Sequence, residues 1–377
     1  MKEKKTGRII IIVAFVIIIC SSKLIWLFAE KFMDTTNYEN RTLATRPALT
    51  LDSFGTFPEK YNDYFNDHLQ FRKNLVALNS MIDYYVFDQS ASKDVIKGED
   101  GWLFYNETLE DYQRNNLYTE EELENIKNEV LATKEYFKEK GIEFVILICP
   151  NKNTIYGEFM PSDIEVYGEQ SRVRQMVDYL QKNTDVPVIF PVEELLNAKK
   201  AHPELISYFK LDTHWNYMGG FWASEPLLKA LGVKPIAFED IDYYQTSDPA
   251  YSWSGYDEAN MLGLTKLLDT DINYHISNET METITYDGYV PNDQEAFDGL
   301  SRVHSGADDK RKVFFVRDSF GEGITPYIAA SFSEIYSIHR SSLKRSQIEE
   351  EQPDIFIYEI VERKDFIGTF NYQKWPK

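Results

Sequence analysis

Cysteine is nearly missing from this 377-residue sequence, which has only Cys20 and Cys149. Cys20 lies in an N-terminal apolar stretch, and Cys149 ends an apolar run that reads as a buried strand. A disulfide between them is therefore not expected, and no Cys/His set has zinc-site spacing. Excess positive charge is missing too. Forty Lys and Arg face 61 Asp and Glu, giving a formal net charge of −21 and a pI of about 4.8. Nucleic-acid binding needs a basic face, so this balance excludes it as a partner. There is no internal repeat and no low-complexity tract. Aromatic residues, in contrast, are plentiful, with 25 Tyr and 24 Phe. A well-filled core accounts for them first and sugar stacking second.

The one long apolar run is at the start. Lys2, Lys4, Lys5 and Arg8 precede it. Residues 9–29 are then apolar apart from Ser21-Ser22-Lys23, about the length needed to cross a bilayer as a helix. The positive flank would stay in the cytoplasm and the rest of the chain would lie outside. A cleaved signal peptide, with residues 9–19 as its apolar core, is the rival reading. Both export the remainder. The expected organisation is a basic flank and anchor over 1–30, an extended and helical lead-in over 31–94, and a main domain over 95–377. Asp67, His68 and Arg72 fall in the lead-in, and His68 reads as an ordinary packing or surface histidine.

The main domain alternates strand and helix. Residues 95–105 read as a hairpin turned by Gly98 and Gly101. Thr119 to Glu122 is a capping box opening a helix that runs to Lys140, with Gly141 as its stop. Residues 142–148 form a continuous apolar run suited to a buried parallel strand. A helix over 171–183, a strand over 186–190 and a helix over 193–200 follow. A further helix over 216–231 has Gly219 and Gly220 for close packing. Residues 236–311 are rich in Asp, Tyr, Thr and Asn and read as an insertion or cap. Strands are expected at 312–316, 335–338 and 355–360, with a helix over 323–331. This pattern predicts an α/β fold with a mostly parallel sheet, whose ligands bind at the carboxyl ends of the strands.

Two segments carry the chemistry. Asp212-Thr213-His214 puts a carboxylate two residues before an imidazole. Ser319 follows the apolar run Val313 to Val316 and precedes Gly321. A serine hydroxyl needs a base to take its proton and a carboxylate to orient that base. Ser319 reads equally as a nucleophile or as a helix N-cap. Asp318 reads as a structural neighbour of Ser319, and Arg317 as either a structural ion pair or a substrate contact. Asn260, in Asn260-Met261-Leu262-Gly263, is a candidate facing the site.

Several short features together resemble the DHHW proteins, relatives of the alginate O-acetyltransferases in the SGNH-hydrolase-like superfamily. They are Asn40-Arg41, Asp67-His68 with Phe71-Arg72, Gly98-x-x-Gly101-Trp102-Leu103-Phe104, Pro150-x-Lys152, Asp212-Thr213-His214-Trp215-Asn216, Ala259 to Leu264, Arg317-Asp318-Ser319-Phe320, and Tyr358 to Arg363. The resemblance implies a three-layer α/β/α, flavodoxin-like fold. It also implies a triad in which Ser319 is the nucleophile, His214 the base and Asp212 the orienting acid. Here the Asp-x-His element precedes the serine, the reverse of the usual SGNH order. Thr213 stands where the family has its middle histidine. The superfamily's oxyanion glycine and asparagine have no match by motif.

The resemblance further implies an acyl-serine intermediate and acetyl transfer to a sugar hydroxyl, with no metal or organic cofactor. The expected acceptor is a cell-surface or secreted polysaccharide. The expected donor partner is a membrane-bound O-acyltransferase. An esterase using the same residues, or a non-catalytic polysaccharide-binding scaffold, are the alternatives.

Overall fold

The computed structural model of the chain describes residues 11–13, 15, 43–68, 72–247, 256–268, 271–287 and 300–377. The expected anchor over 9–29 lies outside the described residues except for 11–13 and 15, as does Asn40-Arg41. Among the described residues no helix is long and apolar enough to cross a membrane. The chain divides into two units, Met1–Lys93 with Ala259–Leu268, and Asp94–Glu258 with Asp269–Lys377.

In the first unit, α1 (Phe57–Asp67) and α2 (Arg72–Tyr85) are the described helices of the lead-in. Pro58 stands in the first turn of α1, where its missing N–H is no loss. His68 Nδ1 lies 2.9 Å from the Tyr64 carbonyl, and its ring lies tilted against that of Tyr64 at 4.3 Å. It is a local packing residue, as its sequence context suggests.

The second unit opens with an antiparallel hairpin of β1 (Val95–Lys97) and β2 (Leu103–Tyr105). Gly101 turns it at φ +78°, a value suited to glycine. After the short α3 (Leu109–Gln113) comes α4 (Glu120–Glu139). Thr119 and Glu122 close its first turn reciprocally, with the Thr119 amide donating to Glu122 Oε2 at 2.8 Å. β3 (Glu143–Cys149), α5 (Lys152–Ile155), α6 (Arg172–Asn183), β4 (Val188–Ile189), α7 (Val192–Ala201) and α8 (Tyr217–Ala230) follow in order. Beyond them lie β5 (Asp242–Thr246), α9 (Asp257–Leu262), β6 (Asn273–Ser277), β7 (Thr285–Asp287) and β8 (Leu300–His304). The chain closes with β9 (Asp309–Arg317), α10 (Gly321–Ala329), β10 (Phe332–His339), α11 (Arg345–Glu351) and β11 (Ile355–Val361).

The central sheet has seven strands in the order β4-β3-β11-β9-β10-β8-β7. The five strands from β4 to β10 run parallel, while β8 and β7 add antiparallel at one edge. The domain is thus a mixed α/β fold on a mostly parallel sheet. Every residue of β11 is buried, which requires cover on both faces and explains its unbroken apolar character apart from Glu359.

Two expectations need correcting. The stretch 236–311 is not wholly an insertion, because β7 and β8 belong to the central sheet and only β5 and β6 form a sheet of their own. Period-2 patterning is weak in these short edge strands, so the sequence hid their pairing. The helix after Ser319 begins at Gly321, two residues before the expected start.

α8 and α10 meet backbone to backbone. A Cβ on Gly220 would sit 2.0 Å from the Gly323 carbonyl oxygen, so only glycine fits there.

Candidate active site

Ser319, His214 and Asp212 converge at the carboxyl edge of the sheet, just beyond the end of β9. Ser319 Oγ lies 2.7 Å from His214 Nε2, and His214 Nδ1 lies 2.7 Å from Asp212 Oδ1. A carboxylate accepts only, so Nδ1 carries the ring proton and Nε2 is the free acceptor for the serine O–H. That is the tautomer a general base needs. Ser319 is not a helix cap. Phe320 takes the N-cap position of α10, with no side-chain cap, and the serine hydroxyl reaches the histidine instead.

The loop carrying Asp212 and His214 is fixed from several sides. The His214 amide donates to Asp212 Oδ1 at 3.0 Å and the Asp257 amide to Oδ2 at 2.7 Å. Asp271 accepts the amides of Lys210 and Leu211 at 2.7 and 2.9 Å. Lys152 is buried and its Nζ donates to the Asp212 carbonyl at 2.7 Å and to Glu258 Oε2 at 2.5 Å. Asn216 then caps α8 by accepting the Gly219 amide, which anchors the loop to a helix N-terminus. Trp215 Nε1 donates to the Phe320 carbonyl at 2.9 Å, linking this loop to the one that carries the serine.

The serine loop is held differently. Asp318 Oδ1 accepts the Phe320 amide at 2.9 Å and Oδ2 the Val361 amide at 2.8 Å. The Asp318 amide donates to Glu359 Oε2 at 2.7 Å. Arg317 is buried and pairs with Glu322 at 2.5 Å, which decides for its structural reading. The Phe320 amide is thus engaged and is not available to hold an oxyanion.

Burial sets the electrostatics. It pushes the Glu258 carboxyl up to about 8 despite Lys152, and Asp271 up to about 6 despite its two amide bonds. Asp257 is raised first by the neighbouring Asp212 charge and then by burial. Burial, and then the neighbouring Asp318, push the Glu359 carboxyl well above its ordinary range.

Asp212, His214 and Asp257 present ligand atoms within 4.8 Å of one another, a spacing open to a cation. Both Asp212 oxygens already accept N–H bonds, however, and Nδ1 faces one of them. Asn260 belongs to the first unit, where it accepts from the Thr265 hydroxyl.

Sequence reasoning missed Asp257, Asp271 and Glu258 as site neighbours, because acidic residues in the first turn of a six-residue helix or in a loop carry no periodic signal. Lys152 had one, in Pro150-x-Lys152.

Residues 95–282 match the family described as "SGNH hydrolase-like domain, acetyltransferase AlgX". That segment resembles an AlgX-type SGNH hydrolase-like domain. That AlgX-type match includes Lys152, Asp212 and His214 and ends before Ser319, which joins them through the geometry. Among solved structures the domain resembles PatB1 from Bacillus cereus, with TM-score 0.53 and 17% identity over 74% of this chain and 99% of that one. It also resembles a DHHW family protein from Eubacterium siraeum, with TM-score 0.50 and 14% identity over 75% and 98%. At these identities the likeness establishes a shared fold. Among curated proteins none matches.

Proposed function

We propose that the chain is an O-acetyltransferase that passes acetyl groups to hydroxyls of a cell-surface or secreted polysaccharide through an acetyl-serine at Ser319. The observation that carries this reading is the continuous Ser319–His214–Asp212 relay inside an AlgX-type domain. Ser319 Oγ attacks the donor's acetyl carbonyl as its proton moves to His214 Nε2. The donor's leaving oxygen then takes that proton as its bond to the acetyl carbon breaks. A sugar hydroxyl next attacks the acetyl-serine and gives its proton to His214, and Ser319 Oγ recovers it on leaving. Asp212 steadies the imidazolium in both halves. The Ser319 amide is the loop donor assigned to the oxyanion, since the Phe320 amide serves Asp318.

The basic flank and apolar run over 9–29 support a membrane anchor with the domain outside the cytoplasm. A membrane-bound O-acyltransferase then fits as the donor partner. A three-layer α/β/α arrangement belongs to the same reading and is supported by the burial of β11 along its whole length.

The test uses the full chain in detergent and a chromogenic acetate ester. Wild type releases acetate, and Ser319→Ala and His214→Ala lose at least about 100-fold of the rate. Adding an oligosaccharide acceptor yields acetylated sugar; acetate alone would mark an esterase. A Ser319→Ala protein as active as wild type sinks the reading.

A further inference from the structure

Three cations bracket Ser319 in a chain of net charge −21. β9 lies between β10 and β11 in the sheet. Ser319 follows β9, Arg340 follows β10 directly, and Arg363 and Lys364 follow β11. All three basic side chains are half-buried. Among the described residues no carboxylate comes within ion-pair distance of any of them, although other Lys and Arg residues of this domain pair readily. The Arg363 guanidinium sits over the ring of Phe320 at 5.3 Å and over that of Tyr105 at 5.7 Å. The Phe320 ring in turn packs 4.8 Å from the His214 ring. Arg363 is therefore one aromatic ring away from the general base.

The cations also bear on each other. Burial first, then Arg363, holds the Lys364 ammonium below its ordinary range, and Arg340 adds to this; Glu107 and Asp318 offset only part. Glu107 is itself exposed, and both Asp318 oxygens accept main-chain amides. Half-buried like charges without counter-ions are costly to the fold. A guanidinium fork held open over aromatic faces suits a planar or tetrahedral anion.

From this juxtaposition we propose that Arg340, Arg363 and Lys364 form an acceptor subsite for an anionic group, a carboxylate or a phosphate, carried by the glycan whose hydroxyl is acetylated at Ser319. The proposal rests on the acetyl-transfer reading for its role and on the charge arrangement for its chemistry. In a chain of net charge −21 these cations supply the local attraction such a polymer needs, with Asp257 the site carboxylate nearest in effect to Arg363. The cations thus both admit it and set which sugar unit lies beside Ser319.

The test measures binding to the full chain carrying Ser319→Ala, which cannot turn the ligand over. The probes are galacturonate oligomers, the same oligomers after reduction of their carboxyl groups, and glycerol-phosphate oligomers. At low salt at least one anionic probe binds about tenfold or more tighter than the neutral one, and the preference shrinks as salt is raised. Preference for galacturonate names a carboxylate, and preference for glycerol phosphate names a phosphate. Arg363→Gln and Arg340→Gln each weaken the preferred probe about tenfold, while Arg363→Lys and Arg340→Lys keep its salt dependence. Equal binding of native and reduced oligomers together with no binding of glycerol phosphate overturns the proposal. That comparison needs no arginine variant and stands even where one fails to fold. The ester assay on wild type and Ser319→Ala decides the acetyl-transfer reading separately, so the two can fail independently.

Discussion

Asp212 and Asp318 are both buried, both two residues from a partner they position, and both at the carboxyl edge of one sheet. Their surroundings give them different work. Asp212 accepts the His214 ring N–H as well as the amides of His214 and Asp257. Asp318 accepts the main-chain amides of Phe320 and Val361 and lies against the Glu359 side chain, with no imidazole among its partners. In the proposed reaction the first carboxylate orients the imidazole that carries the proton. The second ties the serine loop to β11, and it helps raise the buried Glu359 carboxyl beside it. Residue type and burial are shared; the identity of the donors makes one an orienting acid and the other a brace.

The sharpest way to break this contrast is to amidate each aspartate. Asp212→Asn lets the histidine settle in the wrong tautomer, so acyl transfer falls about 10³–10⁴-fold; its new N–H₂ also meets a main-chain amide, so stability falls by about 1–3 kcal/mol and rate is what separates the two variants. Asp318→Asn puts an N–H donor against a main-chain amide, so it lowers stability by about 1–3 kcal/mol and rate much less. Steady-state rates and melting curves on the two proteins decide it. If Asp318→Asn loses rate as heavily as Asp212→Asn at unchanged melting temperature, the assigned roles are wrong.

Lys152 tests the support beneath the Asp212 loop. Lys152→Met leaves the Glu258 carboxyl and the Asp212 carbonyl without their donor, for a cost of about 1–3 kcal/mol, read by denaturant unfolding. A Lys152→Met, Glu258→Leu double variant recovers part of that cost, because no unpaired carboxyl is left inside. A double variant as unstable as the single one would show that the carbonyl contact matters more than the ion pair.

The smallest effect is a pH slope. Glu258 is raised from its unfolded value to about 8, so its contribution is fully present below about pH 4.5 and is lost as pH rises through 8. Asp271, at about 6, acts in the same direction at lower pH. The melting temperature therefore declines from pH 6 to 9, and Glu258→Gln flattens the upper part of that decline. An unchanged slope in Glu258→Gln would assign the decline elsewhere.

Much of the fold was legible because it rests on local signals. The Thr119–Glu122 box, the Gly141 stop and the apolar run ending at Cys149 each depend on neighbours in sequence. The relay residues were legible as types, since Asp-x-His and a serine between strand and helix are short patterns. The supports of the relay were not. Lys152 reaches Asp212 across 60 positions and Val361 reaches Asp318 across 43, and no window of sequence contains both partners. The pairing of the antiparallel edge was missed for a similar reason: β8, of five residues, shows its place only against β10, and β7, of three, only against β8.

The contact between Gly220 and Gly323 has a mechanical consequence. α8 starts one residue after Asn216 and α10 starts two residues after Ser319, so each helix carries one reactive loop at its front end. Where the helices touch there is no side chain to act as a cushion. The gap between base and nucleophile is therefore machined by contact of hard atoms, like two parts seated on a common reference face. A single added methyl would wedge the helices apart by roughly an ångström, and a gap that must stay at hydrogen-bond length tolerates little such play.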